Sequence, residues 1–266
     1  MCNLFVSLLC QIKLMKANRI SDNIYVAEDP KFGTYNKHIV HRLLQQVQID
    51  FSSWIGTQVF TTSNCTICYQ DGHPEIYSMG EAGHRICLHV KGDDLWRWVY
   101  QFAHEYCHHL INGNTSGNVT GLMWFEETIC DLSAICHLDR LIALCGVLRI
   151  DNHVKDWIVN CRNANLGTVQ SNCREYLKQN LDKLGQPLYQ RGIYSNLSTT
   201  ILPLFQKNPC LWKIILQFGD MRRWSSLDAL FRHLRNTADD SYSLSLYKLQ
   251  NLLVGQFPAP SSGAVP

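Results

Sequence analysis

Two periods divide the chain. From Ile24 to Val90 short apolar runs alternate with polar positions and are cut by Gly, Asn and Asp. Beyond Asp93 apolar residues recur every three or four positions almost to the end. A period of two marks strands with one buried face, and a period near 3.6 marks amphipathic helices. In 85–90, for example, Ile86, Leu88 and Val90 alternate with Arg85, Cys87 and His89. Extended segments are expected at 24–26, 48–55, 58–61, 66–70, 75–78 and 85–90. One early helix, 36–48, carries Ile39, Val40, Leu43, Leu44 and Val47 at helical spacing. Later helices are expected at 93–112, 124–145, 151–164, 171–184, 190–206, 209–218, 226–236 and 242–254, with Gly185-Gln186-Pro187 interrupting the run. The pattern therefore predicts an α+β fold. A small, mainly antiparallel N-terminal sheet lobe (24–92) precedes a mostly helical lobe (93–256), together forming one domain. Residues 1–23 read as a poorly tied lead-in, and 257–266, rich in Pro, Ser and Ala, as a disordered tail.

Candidate chemistry is concentrated in His104-Glu105-Tyr106-Cys107-His108. Asp93-Asp94 offers a helix start, Leu95, Val99, Phe102, Tyr106 and Leu110 form an apolar stripe, and Asn112-Gly113 offers a stop. His104 and His108 then lie one turn apart on one face, where both imidazoles reach a single ion. Two neutral imidazoles suit zinc, which keeps an open position in catalytic sites. Glu105, beside the first histidine, is placed to take a proton from the attacking water. Glu127 follows His108 by nineteen positions, room for a loop over 112–121 and a second helix beside the first. It is the candidate third ligand. Asp131, four residues on, shares its face and is a candidate to hold the outer nitrogen of a ligand histidine. Glu126 is the rival ligand, but it diverges from Asp131 on a helix. His109 is turned by about 100° from His108 and is expected to cap or pack against the second helix.

Taken together, His-Glu-x-x-His, eighteen residues, then Trp124-x-x-Glu127 with Asp131 four further on resembles the gluzincin zinc peptidases, particularly the aminopeptidase-N and leukotriene-A4-hydrolase branch. The resemblance covers about 76–252. It implies a thermolysin-like zincin architecture, bound Zn2+ and a peptide or protein substrate. Tyr189-Gln190-Arg191-Gly192 stands 62 residues after Glu127 and matches a Tyr-x-x-Gly element of that branch, which makes Tyr189 a candidate to stabilise the oxyanion. The branch's Gly-x-Met-Glu-Asn element is absent as such. Ser78-Met79-Gly80-Glu81-Ala82-Gly83 stands in its place, and Glu81 is the candidate anchor for a substrate amine. By the same resemblance 84–90 is the expected edge strand that pairs with the substrate backbone. The 266 residues leave no room for the large flanking domains of those enzymes, so the resemblance carries the metal site and not exopeptidase action. Ile111 and Asn114 stand where a metzincin would have Gly and His. Two alternatives stay open: a repressor-cleaving type of zinc peptidase from a mobile element, and a non-catalytic, zinc-stabilised interaction module. The intact Glu105 argues against the second, since a structural ion has no use for a base.

Composition sets the outer bounds. Hydrophobic residues are 46% and charged residues 17%, as in a globular chain. A net charge of +2 gives no reason to expect nucleic acid or an acidic membrane as partner. No apolar run approaches the roughly 18 residues of a membrane span. Leu4 to Cys10 is apolar but has no basic residue before it and no small-residue cleavage site after it, so a cytoplasmic protein is expected, with Met15 as an alternative start. Twelve cysteines then read as reduced, buried thiols. Cys65-Thr66-Ile67-Cys68 is a lone pair with no second pair to complete a zinc knuckle.

Overall fold

A computed structural model describes residues 16–56, 63–111, 121–186, 189–219 and 221–255. The expected strand at 58–61, the stop at Asn112-Gly113, the first fifteen residues and the tail lie outside the described residues. The strands are β1 (Ala17–Arg19), β2 (Ile24–Ala27), β3 (Cys65–Tyr69), β4 (Glu75–Ser78) and β5 (His84–Leu88). The helices are α1 (Lys37–Ile55), α2 (Leu95–Ile111), α3 (Met123–Leu144), α4 (Asn152–Asn165), α5 (Cys173–Leu184), α6 (Arg191–Lys207), α7 (Leu227–Thr237) and α8 (Ser243–Leu253). Short 3-10 segments occupy Pro30–Phe32, Gly80–Ala82, Pro209–Gln217 and Met221–Arg223. The fold is α+β, a small sheet followed by a largely helical remainder.

The sheet is mixed rather than mainly antiparallel. Its order is β1-β2-β3-β5-β4, with β2/β3 and β3/β5 parallel and both outer pairs antiparallel. The parallel step from β2 to β3 needs a crossover, and α1 supplies it. That helix also corrects the expectation of an extended segment at 48–55. Phe51 and Ile55 continue the stripe of Val47 at intervals of four and are buried with it, so the helical period persists to Ile55. A second correction concerns the lead-in: Ala17–Arg19 pairs with Tyr25–Ala27 as an edge strand. A third concerns the expected edge strand at 84–90. β5 lies inside the sheet between β3 and β4, and the edge is β4.

The turn between β4 and β5 depends on Gly83, whose φ is +96°. A Cβ there would collide with the Asn64 carbonyl at the start of β3, so the residue needs both the positive φ and the missing side chain. The Gly83 carbonyl accepts from Met79 N–H at 2.7 Å, closing the hairpin.

One contiguous core joins sheet and helices. Cys65, Ile67, Tyr69, Ile86 and Leu88 face the helices, with Phe32, Trp98, Phe102 and Tyr106 packed against them. Cys68 and Cys87, paired across β3 and β5, face the other way with Ala27. Residues three apart on a strand point to opposite faces, so Cys65 and Cys68 cannot share an ion. Phe51 and Trp54 of α1 meet His137 of α3 and Trp212, with Trp54 and Trp212 stacked at 5.5 Å. Asp93, expected to start α2, instead accepts from the Asn36 backbone at 2.6 Å and ties that helix to the start of α1. Among the described residues no helix is long and apolar enough to cross a membrane.

Candidate metal centre

The site is built by α2 and α3. The apolar stripe of α2 buries Trp98, Phe102 and Tyr106, which turns His104 and His108 toward α3. The chain reaches α3 through Gly121, at φ +60°, where a Cβ would press on the backbone of Met221 and Arg222 at 3.2 Å. Trp124, Phe125, Ile129 and Leu132 then bury α3 on several sides and fix its rotation. Ser133 Oγ donates to the Ala103 carbonyl at 2.9 Å and sets the two helices in register.

The result is a convergence. His104 Nε2 lies 3.3 Å from Glu127 Oε2, and His108 Nε2 lies 3.5 Å from Glu127 Oε1. One donor atom from each of the three residues falls within 4.8 Å of the others. No family model, curated protein or solved structure matches this chain. What the site does is therefore argued from its own chemistry.

The outer nitrogens are held too. His104 Nδ1 lies 3.1 Å from Asp131 Oδ1, as expected for the carboxylate four residues beyond Glu127. His108 Nδ1 lies 2.7 Å from Glu126 Oε1, and both groups are buried. Glu126, the rival ligand, faces the outer nitrogen and not the convergence point. With Nδ1 turned to a carboxylate, each ring presents its Nε2 to that point, as a proton donor when the ring is charged and as a lone pair when it is neutral.

The electrostatics show what the cluster needs. Burial pulls the His104 pKa down, but hydrogen bonds to Asp131 and Glu127 outweigh it and hold it at about 10. Burial likewise opposes protonation of His108, yet the Glu127 charge and the hydrogen bond to Glu126 raise its pKa well above the ordinary 6.5. Burial would raise Glu127, but the neighbouring histidines hold it far below the usual carboxylate range. Left alone, the cluster recruits protons to balance buried carboxylates. A dication can replace both of them. Two imidazoles, one carboxylate and second-layer acceptors are the donor set zinc takes, so the residues fit that ion.

A cleft of about 520 Å³ opens over the cluster. Glu105 lines it beside the two histidines, and burial raises its pKa, with the Glu127 and Glu75 charges adding to the rise. Tyr189 also lines it, although 62 residues of sequence separate it from Glu127. The residue as a whole is 48% exposed, yet its hydroxyl points in and donates to Asp131 at 3.3 Å. Burial and the Asp131 and Glu127 charges push its pKa up, so the hydroxyl keeps its proton. Tyr100 OH donates to the same carboxylate at 3.4 Å.

Three expectations are corrected here. Glu81 is exposed on the 3-10 turn and does not line the cleft; Glu75, at the start of the edge strand, does. The described partners of His109 lie elsewhere than on α3. It stacks on Tyr106 and its Nδ1 lies 2.7 Å from His84 Nδ1 on β5. The edge strand that borders the cleft is β4, and 84–88 lies inside the sheet. Among the groups that sequence reasoning missed, Tyr100 had a signal: it precedes His104 by four and so shares its helix face. Glu75 had none, because only the strand order places it by the cleft.

Proposed function

We propose that this protein is a zinc-dependent metallopeptidase of thermolysin-like architecture, with His104, His108 and Glu127 as the metal ligands. The observation that carries the reading is the Glu127 carboxylate facing both Nε2 atoms, while Asp131 and Glu126 hold both Nδ1 atoms. A mixed sheet whose antiparallel edge strand borders the cleft supports the architecture.

Bound zinc supplies Lewis acidity and lowers the pKa of a coordinated water toward about 7. The chain supplies the rest. β4 is an edge strand among the described residues, so its outward backbone groups can pair with an extended peptide. Glu105 takes the proton of the attacking water and returns it to the departing amine. Tyr189 donates its hydroxyl hydrogen to the oxyanion that develops on the peptide carbonyl. Asp131 positions His104 and, through the two tyrosine hydroxyls, the far wall of the cleft.

The test pairs zinc analysis with a quenched fluorogenic peptide library, on the wild-type protein and Glu105→Gln. Support is stoichiometric zinc in both and hydrolysis by the wild type alone. Zinc without any hydrolysis turns the reading toward a zinc-stabilised interaction module, and no zinc in either removes it.

A further inference from the structure

Beyond the three converging residues, the lining of the cleft carries charges of both signs. Glu75 lies on the Glu105 side, near enough for its charge to raise that carboxyl. Among the described residues its partner is neutral, the Tyr77 hydroxyl at 2.5 Å. Arg191 lies on the Tyr189 side, where its charge reaches both Tyr189 and Tyr100.

The guanidinium of Arg191 is anchored by neutral groups. Its Nη2 donates to Asn165 Oδ1 at 2.7 Å, and it lies beside the Tyr100 hydroxyl. No carboxylate among the described residues forms an ion pair with it. Asp131, the acid of that wall, is turned to His104, Tyr100 and Tyr189. The other cleft arginine is already engaged: Arg97 pairs with Asp94 at 3.4 Å and lies over the Trp96 ring. Arg191 also opens α6, whose first turn holds no acid, so the helix end adds to the positive potential. A planar fork of donors held by neutral acceptors keeps its charge and its orientation, and a carboxylate is the group it fits.

We propose that Arg191 receives a carboxylate of the substrate, so that the cleft selects peptides with a C-terminal carboxylate or an acidic side chain on the Tyr189 side of the metal. This deepens the peptidase reading and takes the peptide class from it. Arg191 touches substrate and not the reacting atoms, so its effect falls on binding.

The test uses zinc-loaded Glu105→Gln protein, in which peptide is bound and not consumed. Three N-acetylated tetrapeptides are titrated by calorimetry: a neutral C-terminal amide, the same sequence as the free acid, and the amide with one glutamate. At least one carboxylate-bearing peptide binds about tenfold more tightly than the neutral one, the worth of a charge-assisted hydrogen bond. Which one gains identifies the carboxylate as C-terminal or side-chain. Adding Arg191→Gln removes the gain, with zinc content and near-ultraviolet circular dichroism unchanged, and Arg191→Lys restores part of it. Equal binding of all three peptides, a preference that survives Arg191→Gln, or no binding of any of them overturns the proposal. A preference without hydrolysis of the same peptides by the wild type keeps Arg191 in its role and defeats the peptidase reading. Hydrolysis with no preference does the reverse.

Discussion

Glu126 Oε1 lies 2.7 Å from His108 Nδ1, while the next residue, Glu127, faces the Nε2 of the same ring at 3.5 Å. Two consecutive carboxylates thus straddle one imidazole. Glu126 sets the orientation of the ring, and Glu127 meets its other nitrogen at the proposed metal position. The Glu126 carboxylate is buried, so its negative charge is tolerable only against a positive neighbour, a protonated His108 or a bound cation. Replacing it with glutamine keeps the shape and a hydrogen-bond acceptor but removes the charge. Glu126→Gln is expected to weaken zinc affinity by about 10–100-fold, read by competition with a chromogenic chelator. An unchanged affinity would show that His108 needs no carboxylate behind it.

Glu105→Gln separates the base from the ligands. Glu105 touches the cleft and is not among the converging donors. Zinc content is expected to be retained, while kcat falls by about 10²–10⁴-fold, the usual contribution of general acid–base catalysis. Equal loss of zinc and turnover contradicts the assignment.

Tyr189→Phe removes one hydroxyl, whose described partner is Asp131. Loss of an oxyanion donor costs about 10²–10³ in kcat. The fall is expected in kcat at unchanged zinc content. Steady-state kinetics that leave kcat where it was would take Tyr189 out of the chemistry.

The metal-free protein is expected to lose stability as the pH rises. The folded pKa of His104 stands at about 10, above its ordinary 6.5, so folding favours the protonated ring. That contribution is fully present below 6.5 and is lost as the pH climbs through about 10. His108 shifts in the same direction. Zinc takes the place of the protons and binds more tightly as they leave. Thermal melts in chelator should therefore fall from pH 7 toward pH 10, while zinc-loaded samples stay flat. Parallel profiles with and without zinc would mean that the ion does not sit on these histidines.

Gly83→Ala tests the hairpin that carries the edge strand. A positive φ and a clash with the Asn64 carbonyl combine at this position. The expected loss is more than about 1 kcal/mol of stability, read from chemical denaturation. A neutral result would mean that the β4–β5 turn accommodates the side chain by moving.

The helices and the histidine pair were legible because they depend on neighbours three and four residues away. The period of Leu95, Val99, Phe102 and Tyr106 sets the buried face of α2, and that face places His104 and His108 together. Asp131 was legible for the same reason, four residues after Glu127. In 48–55 the helical signal is thin, only Phe51 and Ile55 continuing the stripe of Val47 across Ser52 and Ser53, and the helix is held there by Phe51 packing on His137 and Trp212.

By itself the chain's order of residues determined the helical run and the histidine pair on one face of α2, since both follow from local periodicity, and its spacing offered Glu127, nineteen positions after His108, as the carboxylate to join them. Only the tertiary structure decided that β4 and not β5 borders the cleft, that Glu126 stands behind His108, and that Glu75 and Arg191 both line the cleft. Strand order and helix rotation come from contacts between distant segments, and no period along the chain encodes which distant segment will be met.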